Sequence, residues 1–207
     1  EISVSVKAEN ANYETATNSY TLKVTKRAVT LTSATQSKTY DGTALTATTV
    51  TANEGGYVSG ETFAYSNFAS LTDVGSVDNT FEYASSTADV NNYSVTVVNG
   101  KLTVSNATIT ITANDQFYTY NGAAQGVAAT TDVEGATISY CDAAGENCSA
   151  TVPQLTNADT VTVTVKATKA NYTDAEKTYK LGVAKATVNA VTVAIDGWTF
   201  GESAKTP

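Results

Sequence analysis

The chain repeats one sequence unit at intervals of about 80 residues. An aromatic residue at the start of a turn-like step recurs every 80 positions, at Tyr40, Tyr120 and Phe200. Two further landmarks keep the same spacing to within a residue: an Asn-Tyr pair ending at Tyr13, Tyr93 and Tyr172, and an alanine at Ala28, Ala107 and Ala186. Because three independent landmarks stay in phase, we expect an array built from one structural unit.

The shared alanine marks the start of each unit. It predicts two complete repeats, at residues 27–105 and 106–185. Residues 1–26 match the end of the second repeat at an offset of 159 and are expected to be the C-terminal part of a preceding repeat. Residues 186–207 resemble the beginning of a unit and are expected to be the N-terminal part of a following repeat. A physical domain offset from the sequence repeat stays an alternative.

Alternation of apolar with polar residues predicts strands throughout the chain. Thr, Val and Tyr, which favour strands, carry much of the length. Five stretches alternate most clearly: Ile2, Val4, Val6; Tyr20, Leu22, Val24; Ile109, Ile111; Val161, Val163, Val165; Val191, Val193, Ile195. Such stretches bury one face and expose the other, which is typical of antiparallel sheets. The expected fold is all-β, with tandem small antiparallel β-sandwich domains of the immunoglobulin-like type.

Two local features refine this expectation. Asn99-Gly100 lies between the apolar residues of 95–97 and 102–104, and this pair of residues favours the two-residue turn of a β-hairpin. The junctions between repeats pass from one strand-like run into the next without Pro or Gly/Ser spacers. Short junctions restrict bending, so the units are expected to form an elongated, semi-rigid array.

The two cysteines lie seven positions apart in the second repeat. Cys141 and Cys148 flank six residues with Gly145 near the centre, as expected for a hairpin loop whose neck a disulfide closes. A disulfide indicates an oxidising compartment. Free thiols are the alternative, whereas a metal site lacks the ligand spacing and the additional His or Cys that zinc requires.

Composition excludes several classes of function. The net charge of −8 opposes binding to nucleic acid. The chain contains no His, so Ser-His and Cys-His catalysis is excluded. Its carboxylates lie near turn-forming residues, where solvated acids are expected, and we therefore expect no enzyme activity and no cofactor. No run of 18 apolar residues predicts a membrane span in this segment.

Calcium remains an alternative in one loop-rich stretch. Carboxylate and amide oxygens suit this ion. The stretch contains six such side chains: Asp73, Asp78, Asn79, Asp89, Asn91 and Asn92. Their spacing is not that of an EF-hand or a nonapeptide repeat, so solvated loops are the favoured interpretation and no metal site is expected. Lysines on strands also leave open an isopeptide crosslink to Asn.

The aromatic turn is the strongest local motif. Asp-Gly and Asn-Gly form tight turns, and an adjacent aromatic ring is expected to pack at the edge of a sandwich. The motif occurs as Tyr40-Asp41-Gly42, as Tyr120-Asn121-Gly122 and, more loosely, as Trp198-Thr199-Phe200-Gly201. These residues, together with the stretch 155–172, resemble the bacterial MBG/YDG-type repeats, which are immunoglobulin-like modules of large surface and secreted proteins. The sequence departs from that family at Asp159, where Gly is frequent.

The resemblance implies a structural or adhesive role, with no catalytic residues to assign. We expect a spacer or stalk of an extracellular, cell-surface or secreted protein, whose partners are neighbouring repeats of the same chain. The alternatives are an adhesive module that binds glycan or a host protein, and a segment of an extracellular filament. In the adhesive alternative, exposed aromatic residues contact the ligand: Tyr57, Tyr65, Phe68 and Trp198.

Overall fold

A computed structural model describes residues 1–188, 191–194, 197 and 199–203. These residues form 18 strands and one turn of 3₁₀ helix, and they contain no α-helix, so the predicted all-β class is confirmed. The chain divides into two compact units, one ending at Ala107 and the other beginning at Thr108. A short strand, β11 (Ala107–Thr108), lies at this division.

The first unit contains ten strands that precede β11. They are β1 (Ile2–Asn10), β2 (Tyr13–Leu22), β3 (Arg27–Ser33), β4 (Gln36–Thr39), β5 (Val50–Ala52), β6 (Ala64–Ser66), β7 (Gly75–Asn79), β8 (Glu82–Ala84), β9 (Tyr93–Val98) and β10 (Gly100–Ser105). The 3₁₀ turn, Val90–Asn92, leads into β9. Two three-stranded sheets, β5-β3-β9 and β4-β10-β7, form the body of this unit beside the pairs β6-β8 and β1-β2.

Each three-stranded sheet of the first unit buries its own apolar cluster. One cluster contains Val29 and Leu31 of β3 with Phe63, Ala88 and Tyr93. The other cluster is formed by four buried residues: Leu45, Ala47, Leu102 and Val104. The alternation that predicted β10 therefore identifies its buried face correctly.

The second unit contains seven strands after β11. They are β12 (Ile111–Thr112), β13 (Gln116–Thr119), β14 (Thr130–Thr131), β15 (Thr137–Cys141), β16 (Asp159–Thr168), β17 (Tyr172–Thr173) and β18 (Ala175–Ala184). The largest sheet has the order β13-β18-β16-β15. Its core includes Val163, Val165, Tyr179 and Leu181, all nearly inaccessible to solvent.

Both units place the same kinds of neighbour around one central strand. In the first unit β10 lies between β4, which is parallel to it, and β7, which is antiparallel. In the second unit β18 lies between β13, which is parallel, and β16, which is antiparallel. β3 and β9 are also parallel. The sheets are therefore mixed, and the expectation of purely antiparallel sheets is wrong in this detail, because alternation identifies buried faces but not the direction of the neighbouring strand.

The hairpin predicted at Asn99-Gly100 does not form. β9 pairs with β3, whereas β10 pairs with β4 and β7, so the chain passes from one sheet to the other at this point. Gly100 is required here because a Cβ atom would overlap the carbonyl oxygens of Ser33 and Ala34. The glycine therefore permits a close backbone approach and not the turn that the sequence predicts.

The first strand pair is exposed, contrary to the prediction that one face is buried. β1 and β2 pair antiparallel with each other and with no other strand of the described chain. Val6, Tyr20 and Leu22 remain 52 to 54% exposed. The alternation correctly predicts the strands, but burial requires a second layer, and no described element covers this pair.

The strand predicted at Val191 and Val193 is also absent. Residues 191–194 have no strand conformation, and Val191 is 84% exposed. A strand is stabilised by hydrogen bonds to a neighbouring strand, and residues 191–194 belong to none of the sheets formed by the described residues. Ile195, which completed the predicted pattern, lies outside the described residues. In the described part of the chain, no helix has the length and apolar character needed to cross a membrane.

We expect Gly100→Ala to destabilise the first unit. The added methyl group has no room against two carbonyl oxygens, and overpacking of this kind costs about 1–3 kcal/mol. Amide hydrogen exchange of the β3 and β10 strands would measure the loss. Gly197→Ala is the control, because its Cβ meets nothing within 4 Å. Equal protection in the Gly100→Ala variant and the parent chain would contradict the close approach.

Candidate functional site

The aromatic turn of the first unit is held by a single carboxylate. Asp41 Oδ1 accepts hydrogen bonds from the backbone N–H of Thr43 at 2.9 Å and from its hydroxyl at 2.8 Å. Lys38 Nζ donates to the same oxygen at 2.6 Å. Gly42 has a φ of 79°, a conformation that is unfavourable for residues with a Cβ atom. The predicted tight turn is therefore present, with a lysine as an additional partner.

This arrangement changes the acidity of the carboxyl group. The hydrogen bond from Lys38, followed by those from the Thr43 backbone and hydroxyl, holds the pKa of Asp41 far below its usual range. Lys38 Nζ also donates to the Thr43 hydroxyl at 2.8 Å, so the ammonium group connects both sides of the turn. The turn therefore carries an ion pair between Lys38 and an Asp41 carboxylate that is ionised at neutral pH.

The second unit forms the same turn without the charge. Asn121 Oδ1 accepts a hydrogen bond from the backbone N–H of Ala123 at 2.9 Å, and Gly122 has a φ of 80°. Tyr118 occupies the position of Lys38, 80 residues later. Since the turn forms with either Asp or Asn, a carboxylate at this position is not needed for its geometry.

The aromatic residues of the three motifs differ in burial. Tyr40 is half-buried and packs against the Leu102 cluster, as the sequence predicts. Tyr120 is 44% exposed, and Phe200 is fully exposed. Trp198 lies outside the described residues. The expected packing at the sandwich edge therefore holds for the first motif, whereas the second and third aromatic rings are largely in solvent.

The tyrosines of the Asn-Tyr landmark also differ. Tyr93 is buried, and its hydroxyl donates to the Glu61 carboxylate while accepting from the backbone N–H of Val58 at 3.1 Å. The hydrogen bond to Glu61 is the main cause of the raised pKa of Tyr93. Tyr172 is half-buried in the core of the second unit. Tyr13 is 77% exposed on β2.

A cluster of aromatic rings fills one side of the first unit. Edge-to-face contacts join Tyr57 to Phe63 at 5.2 Å and Tyr57 to Tyr93 at 5.7 Å between ring centroids. The hydroxyl groups of Tyr57 and Tyr65 are 2.7 Å apart. Desolvation, followed by the contact with Tyr65, raises the pKa of Tyr57. Phe68 stacks on Phe81, with centroids 6.0 Å apart.

These rings were predicted to be exposed in the adhesive alternative. Tyr57, Tyr65 and Phe68 are instead half-buried, and each packs against another aromatic ring. A ring that stacks on a sugar must present a free face. The contacts within the cluster occupy part of the ring surface to which such a ligand would bind.

The cysteine loop of the second unit is closed by a disulfide between Cys141 and Cys148. The backbone of Tyr140 and Ser149 pairs directly before and after the bridge, with N–H to O distances of 2.8 and 2.9 Å. The predicted hairpin loop and its disulfide are thus both present. The loop is compact, and its sulfur atoms are unavailable as metal ligands or nucleophiles.

One aspartate organises the interior of this loop. Asp142 Oδ1 accepts from the backbone N–H of Glu146 at 2.8 Å and of Ala144 at 3.0 Å. Its second oxygen accepts from the Asn147 side chain at 2.7 Å. The Glu146 backbone hydrogen bond, followed by the one from Asn147, lowers the pKa of Asp142. Asp142 is one of the carboxylates expected from the sequence to be solvated near turns, although an Asp directly after the first Cys is a usable signal for a turn that it organises.

The acidic and amide residues of the calcium alternative do not converge. Asn79 is fully buried, and its amide donates to the carbonyl oxygens of Ala34 and Ala47, each at 2.9 Å. Asp89 accepts from the backbone N–H of Asn91 at the start of the 3₁₀ turn. Asp78 lies 3.7 Å from the Lys101 ammonium. Among the residues that the structure describes, no three His, Cys, Asp or Glu side chains are grouped for a metal ion.

Asn79 belongs to a buried polar network that the sequence does not reveal. The Ser33 hydroxyl donates to the Asn79 carbonyl at 2.6 Å and accepts from the Gly100 N–H at 2.9 Å. These three residues belong to β3, β7 and β10, so the network joins the two three-stranded sheets. Ser33 and Asn79 are 46 positions apart, so their hydrogen bond leaves no local pattern in the sequence.

Comparison with known proteins gives no assignment, because no protein-family model matches the chain and no curated protein matches it.

We expect the Asp41 carboxyl to titrate well below a normal aspartate. Because its pKa is lower in the folded protein than in the unfolded chain, the ion pair stabilises the first unit above the unfolded pKa of about 3.9. That contribution is lost as the pH falls towards the folded pKa. Titration followed by the carboxyl carbon resonance measures the value. In Lys38→Gln the pKa should move back towards the usual range; the same titration in both proteins would contradict the assignment.

We expect loss of the disulfide to destabilise the second unit alone. Closing so short a loop contributes about 2 kcal/mol in the chain-entropy description. Reduction should therefore lower the free energy of unfolding measured by hydrogen exchange on β15 and β16, with the first unit unchanged. A variant carrying Cys141→Ala and Cys148→Ala is the control, since reductant should have no effect on it. A loss of protection in both units would show that the bridge does more than close its loop.

Proposed function

We propose that this chain is a spacer made of tandem immunoglobulin-like repeats, which holds another part of a protein at a distance. The observation that carries the proposal is the recurrence of one set of backbone contacts at the period of the sequence. Tyr40 N–H donates to Ser105 O and Tyr120 N–H donates to Ala184 O, each at 2.8 Å. The donors are 80 positions apart and the acceptors 79 positions apart. Both units therefore use the same hydrogen bond between the aromatic turn and the end of a late strand.

A second repeated contact supports the same interpretation. Asn53 Oδ1 accepts from the Thr30 N–H at 2.6 Å, and Asp132 Oδ1 accepts from the Thr110 N–H at 2.7 Å. The latter bond lowers the pKa of Asp132. The repeated contact needs only an oxygen acceptor, which the Asn and Asp side chains both supply. It does not depend on acid chemistry, and such a contact is what we expect of a scaffold.

The distribution of special side chains also supports a spacer over an adhesive module. The distinctive residues of the described chain serve its own turns and cores: Asp41 and Asp142 hold loops, Tyr93 and Tyr57 fill the core, and Asn79 joins sheets. Function by spacing needs only stable units in series, whereas recognition needs side chains that face a ligand. An extracellular or cell-surface location fits the disulfide, which persists in oxidising compartments.

The spacer proposal predicts a linear increase of length with repeat number. Adding one and then two further copies of residues 106–185 should increase the maximum dimension from small-angle X-ray scattering by a constant step. Strands of the usual rise give a step of about 25–35 Å. Equal steps support stacking of units in series.

The alternatives give other outcomes of the same series. A step that shrinks with each added copy would indicate a collapsed or freely jointed chain and would contradict the spacer. Saturable binding of the parent chain to immobilised glycans would favour the adhesive module. Tyr120→Ala is the control variant for the glycan-binding measurement, because Tyr120 is exposed and lies outside the aromatic cluster.

A further inference from the structure

The chain contains two Asn-Gly pairs, Asn99-Gly100 and Asn121-Gly122. In such a pair the backbone nitrogen of the glycine can attack the side-chain carbonyl carbon of the asparagine, because glycine has no side chain to obstruct the approach. Every other asparagine precedes a residue with a Cβ atom. The two pairs have the same chemistry in the unfolded chain, but the fold places them in opposite surroundings.

The second pair lies in an open turn. Asn121 and Gly122 are both exposed, and a Cβ atom on Gly122 would meet nothing within 4 Å. Gly122 belongs to no strand, and its N–H donates to no group of the residues that the structure describes. The nitrogen that must lose its proton before it attacks is therefore not held by another part of the described protein.

The side chain of Asn121 is activated for this attack. Its Oδ1 accepts a hydrogen bond from the backbone N–H of Ala123 at 2.9 Å. This bond folds the side chain back over the following backbone. It also stabilises the negative charge that develops on the oxygen when a nucleophile adds to Cγ, as the donors of an oxyanion hole do.

The first pair is protected. The Gly100 N–H donates to the Ser33 hydroxyl at 2.9 Å, and Gly100 is the first residue of β10. Its backbone packs so closely on the carbonyl oxygens of Ser33 and Ala34 that a Cβ atom would overlap them. Attack on Asn99 requires this hydrogen bond to break and this packed backbone to rotate.

The equivalent turn of the first unit carries Asp41-Gly42 and has a different chemistry. The hydrogen bonds from Lys38 and Thr43 hold the pKa of Asp41 far below its usual range, so its carboxyl group is ionised. An ionised carboxylate resists attack by a nucleophile. Of the two aromatic turns, the second therefore carries the reactive side chain.

We propose that Asn121 is a site of spontaneous deamidation, through which the aromatic turn of the second unit changes with age while Asn99 is preserved. The Gly122 nitrogen gives its proton to hydroxide and bonds to Asn121 Cγ. The side-chain nitrogen takes a proton from water and leaves as ammonia, which regenerates the hydroxide and yields a succinimide ring. The inference is independent of the spacer proposal.

Water then opens the succinimide in one of two ways. Its oxygen adds to a carbonyl carbon of the ring, and the Gly122 nitrogen regains a proton. Cleavage of the bond between this nitrogen and Cγ gives an aspartate. Cleavage of its bond to the backbone carbonyl carbon gives an isoaspartate, in which the main chain runs through Cγ. Both products add one negative charge to the turn.

The isoaspartate also changes the length of the turn. Two backbone hydrogen bonds anchor the turn, from Tyr120 N–H to Ala184 O at 2.8 Å and from Gln125 N–H to Leu155 O at 3.0 Å. Isoaspartate inserts one methylene group into the main chain between these anchors. We therefore expect it to weaken the bond to Ala184, which is the contact that both repeats share.

Peptide mass spectrometry of the folded 207-residue chain, sampled over time in mildly alkaline buffer, tests the proposal. Cleavage after Lys101 places the two Asn-Gly pairs in different peptides, and fragmentation that distinguishes isoaspartate identifies the modified residue. Deamidation of Asn121 should be at least about tenfold faster than that of Asn99, a factor close to the net value of one hydrogen bond. In denaturant the two rates should become similar.

Two variants provide matched comparisons. Asp41→Asn gives the first turn an Asn-Gly pair, with the Thr43 N–H as donor to the side-chain oxygen, and the new pair should deamidate at a rate close to that of Asn121. Asn121→Asp carries the charge without the added methylene group. Its Tyr120 amide should keep its protection from hydrogen exchange, whereas the aged chain with isoaspartate should lose it.

Equal rates at Asn99 and Asn121 in the folded chain would overturn the proposal. So would a rate at Asn121 that rises in denaturant as strongly as the rate at Asn99, because the turn would then protect its asparagine. An unreactive pair in Asp41→Asn would overturn the role of the turn in activating the amide. Equal protection of Tyr120 in Asn121→Asp and in the isoaspartate form would overturn the effect on the shared contact.

Discussion

An apolar strip on a pair of β-strands is buried only if a second layer lies over it, and both units are organised by this requirement. A two-stranded ribbon has no interior of its own, since each side chain points to one face or the other. β16–β18 and β1–β2 have the same alternation and the same register. Leu181 is inaccessible because residues 109–113 cover it, whereas Leu22 is half exposed because none of the residues that the structure describes lies over it. Full burial of such a side chain stabilises by about 1.5–3 kcal/mol.

Polar contacts then determine which layers meet. In the first unit Ser33, Asn79 and Gly100 connect β3, β7 and β10 through hydrogen bonds that apolar packing cannot replace. The buried side-chain NH₂ group of Asn79 is costly unless paired, and it donates to the carbonyl oxygens of Ala34 and Ala47. Alternatives in which these strands slide past one another would break those bonds and are disfavoured. The second unit has a disulfide instead, at the edge of its largest sheet. Two related units thus acquire their rigidity from different side chains.

Local signals in the sequence identified much of this structure. Alternation identified the strands around Val104 and Val165, Asp-Gly at Asp41 identified a turn, and the spacing of Cys141 and Cys148 identified the disulfide. These features depend on residues that are close together in the chain. Their physical causes, side-chain direction, turn conformation and loop closure, act over a few positions.

Features that depend on distant parts of the chain escaped prediction. Asn99-Gly100 has the composition of a hairpin turn, yet glycine is needed here because the carbonyl oxygens of Ser33 and Ala34 lie where a Cβ atom would be. Asn79 was assigned to a calcium alternative because buried and solvated amides look the same in a sequence. The parallel strand neighbours were not predicted, because the alternation of apolar and polar residues does not encode the direction of the neighbouring strand.

The parallel pairing of early strands with late strands has a mechanical consequence. In the first unit β3 and β4 follow the β1–β2 pair, and they run parallel to β9 and β10 near the end of the unit. In the second unit β13 runs parallel to β18. Tension applied between the two ends of such a unit loads the inter-strand hydrogen bonds along the strand axis, so they share the force and must break together. Antiparallel neighbours pulled from one edge would instead open one bond at a time and yield at a lower force.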